Sequence, residues 1–415
     1  MKRHMAVFLC VCFCTLLVLG GCTASQAQGL QIVYAGGLES AQDIQDNPAF
    51  SQDIRAFSVD LFKELAMGQK KNVLISPASI ALALGMTYNG ARSTTAAQMR
   101  NVLHLQGMDA QTVNDGFLGM AHRLDQESEK VTVQLSNALW ANKDVKIGDT
   151  FIQTNKKYFG AMLANMDFAD PNTVKTINDW VKESTNGKID KILDQPIDPQ
   201  TILFIMNAIY FDGSWTKPFK AENTKQETFH GLNGDKQVSM MHQREIFEHA
   251  KIDGGQMAFL PYGSGDLGMY IVLPDEDSSI AGTVAKLDAN TWKQWTESLG
   301  SAEGDIGLPQ FKLEYETHLK DVLSKMGMAD AFLDTEADFS GIAENVSIKD
   351  VRHKAFIDVD EKGTRAAAVT SVEMRETAAL DPKDTFAMLM DRPFLFAIAD
   401  KKSGTILFMG TVVDP

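Results

Sequence analysis

The chain has 415 residues and a formal net charge of −15, and its 39 Lys and Arg residues are scattered among 54 Asp and Glu rather than gathered in a stripe. Nucleic acid and polyanions such as heparin are therefore not expected as partners, because they require a concentrated positive surface. Length alone suggests two or three domains, but no Pro/Gly/Ser linker, internal repeat or low-complexity tract breaks residues 50–415, so one large mixed domain is expected.

The N-terminus reads differently from the rest. "MKRHMAVFLCVCFCTLLVLGGC" has a basic start at Lys2 and Arg3, an apolar run from Met5 to Leu19, and then Leu19-Gly20-Gly21-Cys22, which resembles a bacterial lipobox. The expectation is a lipoprotein signal over 1–21, with lipid attached at Cys22 and the protein exported to the cell envelope, held on the outer membrane or cell surface by that anchor alone. A plain secretion signal with an incidental cysteine is the alternative. Cys10, Cys12, Cys14 and Cys22 are the only cysteines, so cleavage before Cys22 leaves the folded part without a thiol. Disulfides, cysteine nucleophiles and Cys-ligated zinc are thereby excluded. Residues 22–49 lack a sustained amphipathic period and read as a lipidated N-terminus and flexible tether.

From Phe50, "FSQDIRAFSVDLFKELA" carries apolar residues at helical spacing. "NVLIS" reads as a short strand followed by Pro77, which suits a first helical turn. "ALALGMTYNGA" continues as a buried helix ending at Asn89-Gly90, and "STTAAQMRNVLHL" opens another with Ser93 as its cap. "VTVQLSNALWA" and "TILFIMNAIYF" are rich in apolar and β-branched residues and read as central strands, with "PNTVKTINDWVKESTNG" a helix between them that stops at glycine. "MAFLPY" and "MYIVLP" form an expected strand pair, "HLKDVLSKMGM" a helix, and the C-terminal part is strand-rich. Strands from distant parts of the chain separated by helices imply an α+β protein with a large sheet.

Few motifs point to chemistry. "GSGDLG" at 263–268 has the G-x-G-x-x-G spelling, but a strand follows where a dinucleotide site needs a helix, so a hairpin loop is expected. His242, Glu245 and His249 in "HQREIFEH" are metal-ligand types without the spacing that puts two histidines on one helix face, and a solvated segment is expected. No G-x-S-x-G and no P-loop occurs, and no metal or cofactor is expected. The stretch "EKGTRAAAVTSVEM" at 361–374 is less ordinary. Thr364, Ala366, Ala368, Thr370, Val372 and Met374 share one parity, while Arg365, Glu373 and Arg375 share the other, as in a strand buried on one face. The same charges also cluster at a helical ~100° per residue, so a surface helix stays open at this point.

Six segments, laid in order, together resemble the serpin family. They are "NVLISPASIALALGMTYNGARSTTAAQMRNVLHL", "INDWVKESTNGKI", "FIMNAIYFDGSWTKPF", "DVLSKMGMADAFLDTEADFSGI", "VSIKDVRHKAFIDVDEKGTRAAA" and "DRPFLFAIADKKSGTILFMGTVVDP", running from about residue 50 to the C-terminus. The resemblance implies a serpin domain over 50–415, with a large central β-sheet, further sheets, surrounding helices and an exposed reactive loop at about 361–385. It implies no enzyme. It implies a monomeric inhibitor of serine proteases, with cysteine proteases as a further class, that is cut in its loop and traps the protease by inserting the cut strand into the central sheet. The gain on insertion is on the order of 10 to 25 kcal/mol, comparable with the stability of a whole domain. A non-inhibitory serpin acting as a binding or chaperone protein is the alternative, although such members place bulky or charged residues on the inward hinge face.

The resemblance also assigns roles. Glu361, Gly363, Thr364, Ala366, Ala367 and Ala368 correspond to the hinge, with Thr364 the first residue that must turn from solvent into the sheet. Ser76, Ser79, Asn207 and His353 match a polar cluster beneath the centre of the sheet, and Trp215 an aromatic at its top. Arg365 stands where the family usually has an acid, but it lies on the outward parity and is expected to be tolerated there, with Arg365→Glu leaving trapping intact. The family's usual count from Glu361 reaches Thr377, making Thr377-Ala378 the first choice of scissile bond, suited to elastase-like or subtilisin-like proteases. Arg375-Glu376, suited to a trypsin-like protease, is second.

Overall fold

The computed structural model describes residues 31–34, 37–38, 47–125, 130–198, 201–364 and 385–415. The signal segment with Cys22 lies outside them, as do Arg365, Ala366, Ala367, Ala368, Arg375, Glu376, Thr377 and Ala378. In chain order come β1 (Gln31–Tyr34), α1 (Pro48–Ala66), β2 (Val73–Ile75), α2 (Pro77–Tyr88), α3 (Ser93–Val102), α4 (Ala110–Leu124), β3 (Val131–Asn142), α5 (Asp149–Phe159), β4 (Met162–Met166), α6 (Asn172–Ser184) and β5 (Leu203–Ser214). There follow β6 (Lys225–Gly231), β7 (Gly234–Ile252), β8 (Gly255–Tyr262), β9 (Leu267–Pro274), α7 (Ile280–Lys286), α8 (Ala289–Glu297), β10 (Gly300–Pro309) and β11 (Phe311–His318). The last are α9 (Lys320–Leu323), β12 (Arg352–Asp360), β13 (Gly363–Thr364), β14 (Thr385–Leu389), β15 (Phe394–Asp400) and β16 (Ile406–Val412).

The architecture is α+β, with two large sheets. One has seven strands in the order β1-β4-β3-β5-β13-β12-β11; the other runs β14-β10-β7-β8-β9-β15-β16-β2, with β6 paired to β7. Apolar runs mark the most deeply covered strands of the second sheet: every residue of β9, β15 and β16 is buried, the pattern of strands covered on both faces. Helix α2 is apolar nearly all round and buries most of its length, Ile80, Leu82 and Leu84 included, so it lies inside the core rather than on its surface. The outer face of the seven-stranded sheet is covered by α6, whose Ile177 and Val181 pack with Trp140, Met206 and Phe168 in a second apolar cluster. The "STNG" stop works as its composition suggests: Asn186 and Gly187 take positive φ of 48° and 76°, and the Gly187 N–H closes on the Lys182 carbonyl at 2.7 Å.

Several expectations need correction. Ser93 does not cap α3; it is the first helical residue, with φ 49°, and its hydroxyl donates instead to Asp338 at 2.7 Å. The stretch read as a tether contains a strand, because Gln31–Tyr34 pairs antiparallel with β4 at the sheet edge. The helix expected over "HLKDVLSKMGM" is four residues of α9 continued by a wide turn at Ser324–Met328, where Gly327 takes φ 117° and ends the regular ladder. "HQREIFEH" is part of the long strand β7, and its three candidate ligands have separate partners: His242 with Glu227, Glu245 with Lys217, and His249 with Gln256. "GSGDLG" forms the β8–β9 turn, with Gly263 and Gly265 at positive φ. Among the described residues no helix is long and apolar enough to cross a membrane.

Candidate functional site

The site lies at the top of the seven-stranded sheet. Gly363 and Thr364 form β13, antiparallel to both neighbours: Thr364 stands opposite Gly213 on β5 and Val359 on β12, and Gly363 opposite Ser214 and Asp360. The turn leading in is built by Asp360, whose carboxylate accepts from the N–H groups of Lys362 at 2.8 Å and Gly363 at 3.2 Å. Only glycine fits at 363, since a Cβ there would lie 2.0 Å from the Gly213 carbonyl oxygen. Thr364 is 2 % exposed and its hydroxyl is hydrogen-bonded to the Tyr262 hydroxyl. The expectation that Thr364 waits in solvent is therefore wrong. A hydroxyl that can bond at the foot of the turn, beside a glycine that lets two backbones meet, docks residues 363–364 in the sheet.

Trp215 holds this turn from the side. Its ring is 2 % exposed and stacks on Tyr262 at 4.3 Å and 11°, its indole N–H donates to the Asp360 carbonyl at 3.0 Å, and its backbone N–H donates to the Lys362 carbonyl at 2.9 Å. Burial pushes the Tyr262 hydroxyl well above its ordinary range, against the hydrogen bond to Thr364, so it stays a neutral partner. The Glu361 carboxylate accepts from Thr224 and Gln310, both at 2.7 Å. Burial opposes its ionisation, but the hydrogen bonds from Thr224, its own backbone and Gln310, with Lys362 nearby, outweigh that and hold it below the usual carboxylate range.

Below Thr364, no ladder joins β5 to β12 among the described residues; β13 alone connects them. A ladder continued from β13 in the same register would meet, rung by rung, Asp212, Phe211, Tyr210 and Ile209 on β5, and Asp358, Ile357, Phe356 and Ala355 on β12. A cavity at this place is lined by Ile209, Tyr210 and Phe211 from β5 and by Phe356, Ile357 and Asp358 from β12, with Thr364 at one end and Phe408 of β16 beneath. Ile205 and Ile209 on β5 are only half-buried, although they share the parity of Phe211, which is buried.

The polar cluster lies lower in the sheet. Ser76 caps α2, accepting from Ser79 N–H at 3.4 Å, and its own N–H donates to His353 Nε2 at 3.0 Å. Ser79 donates to the Asn207 side-chain carbonyl, Asn207 donates to Asn137 at 2.6 Å, and Asn137 donates to the Phe159 carbonyl at 2.7 Å. The four residues singled out in the sequence thus form two linked groups: His353 ties β12 to Ser76, and Asn207 ties β5 to Ser79 three residues on. With Nε2 accepting a backbone N–H, His353 has no free lone pair to serve as a base toward either serine, which removes the hydrolase arrangement these residue types suggest. Burial alone lowers the His353 pKa to about 4.

A family profile described as Serpin (serine protease inhibitor) matches residues 52–415. The chain is a member of the serpin family. Among curated relatives, an uncharacterized serpin-like protein of Thermococcus kodakarensis is 38% identical over 89% of this chain and 87% of its own, and the leukocyte elastase inhibitor of Bos taurus is 37% identical over 86% and 97%. The native-state crystal structure of the thermophilic serpin tengpin matches with TM-score 0.83 and 32% identity, covering 93% of this chain and 100% of that one. The same protein in its latent state matches with TM-score 0.78, 30% identity, and coverage of 89% and 99%.

Sequence reasoning missed three members of this serpin's site. Asn137 could have been found, as the one amide in "LSNALW" at the level of Asn207 once β3 and β5 are paired. Tyr262 gave no signal, since an apolar strand ending in tyrosine reads as core. Asp360 reads as an ordinary outward strand residue.

Two predictions follow from this geometry. His353 is depressed from about 6.5 to about 4, so the folded state resists protonation: the stability present above pH 6.5 falls as pH drops toward 4, by up to about 3 kcal/mol. Urea midpoints of His353→Gln should be lower than those of the unmodified protein at pH 7.5 but decline less between pH 6.5 and 4. Gly363→Ala should lower stability by about 1–3 kcal/mol and shift Trp215 emission toward that of an exposed indole, whereas Lys362→Ala at the exposed neighbour should stay within about 0.5 kcal/mol.

Proposed function

We propose that this serpin inhibits serine proteases as a suicide substrate. The target's serine attacks the loop carbonyl of Thr377, the Thr377–Ala378 bond breaks, Ala378 leaves as a new amino terminus, and an acyl-enzyme forms. The freed segment then continues β13 between β5 and β12, carrying the protease away before water cleaves the ester. One observation carries this reading: the first two rungs of the strand are already made, between strands that no ladder of their own joins among the described residues. Five of the cavity-lining residues, Ile209, Tyr210, Phe211, Phe356 and Ile357, are ones the continued register would pair with positions 366 to 368, where the sequence has three alanines. Phe211 and Ile357 on the core face leave room beside them for a small side chain, and Ala366 suits that place. The leukocyte elastase inhibitor among the relatives, and the small residues at Thr377-Ala378, support an elastase-like or subtilisin-like target. The hydrogen-bonded cluster of Ser76, Ser79, Asn207 and His353 acts here as a latch between parts that must move, not as catalytic machinery. The protein is exported and held to the cell envelope through lipid on Cys22.

Incubation with elastase-, subtilisin- and trypsin-like proteases should give a covalent band on a denaturing gel, with a released fragment beginning at Ala378. A fragment beginning at Glu376 would move the specificity to trypsin-like proteases, and clean cleavage with no band and no gain in melting temperature would favour a non-inhibitory serpin. Ala366→Arg should convert the inhibitor into a substrate, raising the ratio of cleaved to trapped protein by about a hundredfold or more, because a guanidinium without a partner would have to be buried.

Cys22→Ala should release the protein from the membrane fraction. Retention of that variant would overturn the anchor.

A further inference from the structure

We infer that Lys354 is a positioning residue that clasps the segment at 188–198 over the parting between β5 and β12, and so sets how fast a strand can lengthen beneath that segment. The inference rests on the insertion reading above and adds to it the tie that resists insertion from the outer face of the sheet.

Arg352, Lys354 and Phe356 of β12 share the outward parity, since His353, Ala355 and Ile357 are buried. The segment at 188–198 touches the first and the last of the three. Arg352 Nη1 donates to the Ile192 carbonyl at 3.4 Å, and the Lys188 ammonium lies over the Phe356 ring at 5.9 Å. Lys354 stands between them on the same face, and its side chain is only 10 % exposed. Its ammonium pairs with Glu314 at 2.8 Å and with Glu316 at 3.9 Å, both on β11. On the segment itself, Asp190 and Asp194 are held below the usual carboxylate range, first by their hydrogen-bonded partners Lys182 and Lys191, and further by the charge of Lys354. One ammonium thus stands between two carboxylates of the sheet and two of the segment that crosses it.

The other half of the sheet holds the same segment by different means. Asn178 of α6 fixes its middle with three hydrogen bonds: its side-chain carbonyl accepts from the N–H groups of Ile192 and Leu193 at 2.9 and 3.0 Å, and its amide donates to the Leu193 carbonyl at 2.8 Å. Ile189, Leu193 and Ile197 pack with Trp140 of β3 and Met206 of β5. The segment therefore spans both halves, with its apolar side chains over β3 and β5 and its charges over β12 and β11. If β5 and β12 are to admit a strand, one of these attachments must give. The ionic one is the weaker, because a cation that keeps Glu314 and gains water as the segment lifts loses little, whereas the three apolar side chains would lose buried area. Without the ammonium between them, Asp190 and Asp194 would face Glu314 and Glu316, and like charges at such range repel.

The test reads the segment and the reaction separately, on the full chain. Hydrogen exchange of peptides covering 188–198, followed by mass spectrometry, should quicken about fivefold or more in Lys354→Met, which keeps the stem and removes the charge, with β15 and β16 as the unaffected reference. Lys354→Arg should stay within about twofold, and so should Lys354→Met in a background of Asp190→Asn with Asp194→Asn, where the repulsion it would uncover is gone. General loss of structure does not cancel in that background. With a subtilisin-like protease toward which the unmodified chain partitions between both fates, the ratio of cleaved to trapped protein should fall to about a third or less in Lys354→Met, because the strand lengthens sooner. If exchange at 188–198 is unchanged in Lys354→Met, or quickens equally in both backgrounds, Lys354 does not hold the segment and the assignment is overturned. It is overturned equally if exchange quickens while the ratio stays level or rises. If the unmodified protein is cut without trapping, the insertion reading fails and the rate claim with it, a result told apart from the others by the exchange at 188–198, which needs no protease.

Discussion

The ladder that Gly363 and Thr364 make with β5 on one side and β12 on the other is the interaction on which the rest of the site depends. It spreads two strands by the width of a third, and it does so with only two residues, at a point where a glycine is sterically required. Every other feature of the region serves that wedge. Asp360 turns the chain into it, Trp215 and Tyr262 form a stacked wall beside it, and Glu361 ties the turn to Thr224 and Gln310. Residues 363–364 are thus an element of the folded sheet, with their direction and register fixed by both neighbours.

The energetic consequence lies in how the two halves of the sheet are held. Strand β5 is paired with β3 along nearly its whole length, and β12 with β11 in the same way, so each half has a continuous ladder of its own. Lower down, hydrogen bonds join both halves to α2: His353 reaches Ser76, and Asn207 reaches Ser79. Hydrogen bonds suit such a seam. They are directional, so they hold one arrangement, and each contributes only about 1 kcal/mol net, so a few can exchange partners without dismantling a packed core. Apolar residues interlocked at the same place would resist parting through lost close packing.

The face opposite the core has its own constraint. Helix α6 and the segment after it cover the outer side of the sheet through Ile177, Val181, Ile189 and Leu193, packed against Trp140 and Met206. Thr185, Lys188 and Ile189 of this cover also line the cavity below Thr364. A strand lengthening downward from β13 would run beneath them, so insertion on the proposed mechanism couples the sheet to this layer.

What the sequence determined by itself was what local pattern can carry. Apolar period located α1, runs of apolar and β-branched residues located β3 and β5, and turn chemistry located the "STNG" stop and the β8–β9 hairpin. The parity of "EKGTRAAAVTSVEM", joined to the family resemblance, marked Thr364 as inward, and the described end of that stretch has it buried. Tertiary structure decided the rest, because the deciding contacts join residues far apart in the chain. That Thr364 is already docked depends on Tyr262 and Gly213, neither of which has any local signature. That Ser93 is not a cap depends on Asp338, which draws its hydroxyl away. That residues 31–34 form a strand depends on an open edge at β4, a partner far along the chain that the short run Gln31–Tyr34 does not itself reveal. Local pattern states which face a residue prefers; only the assembled sheet states which partner stands there.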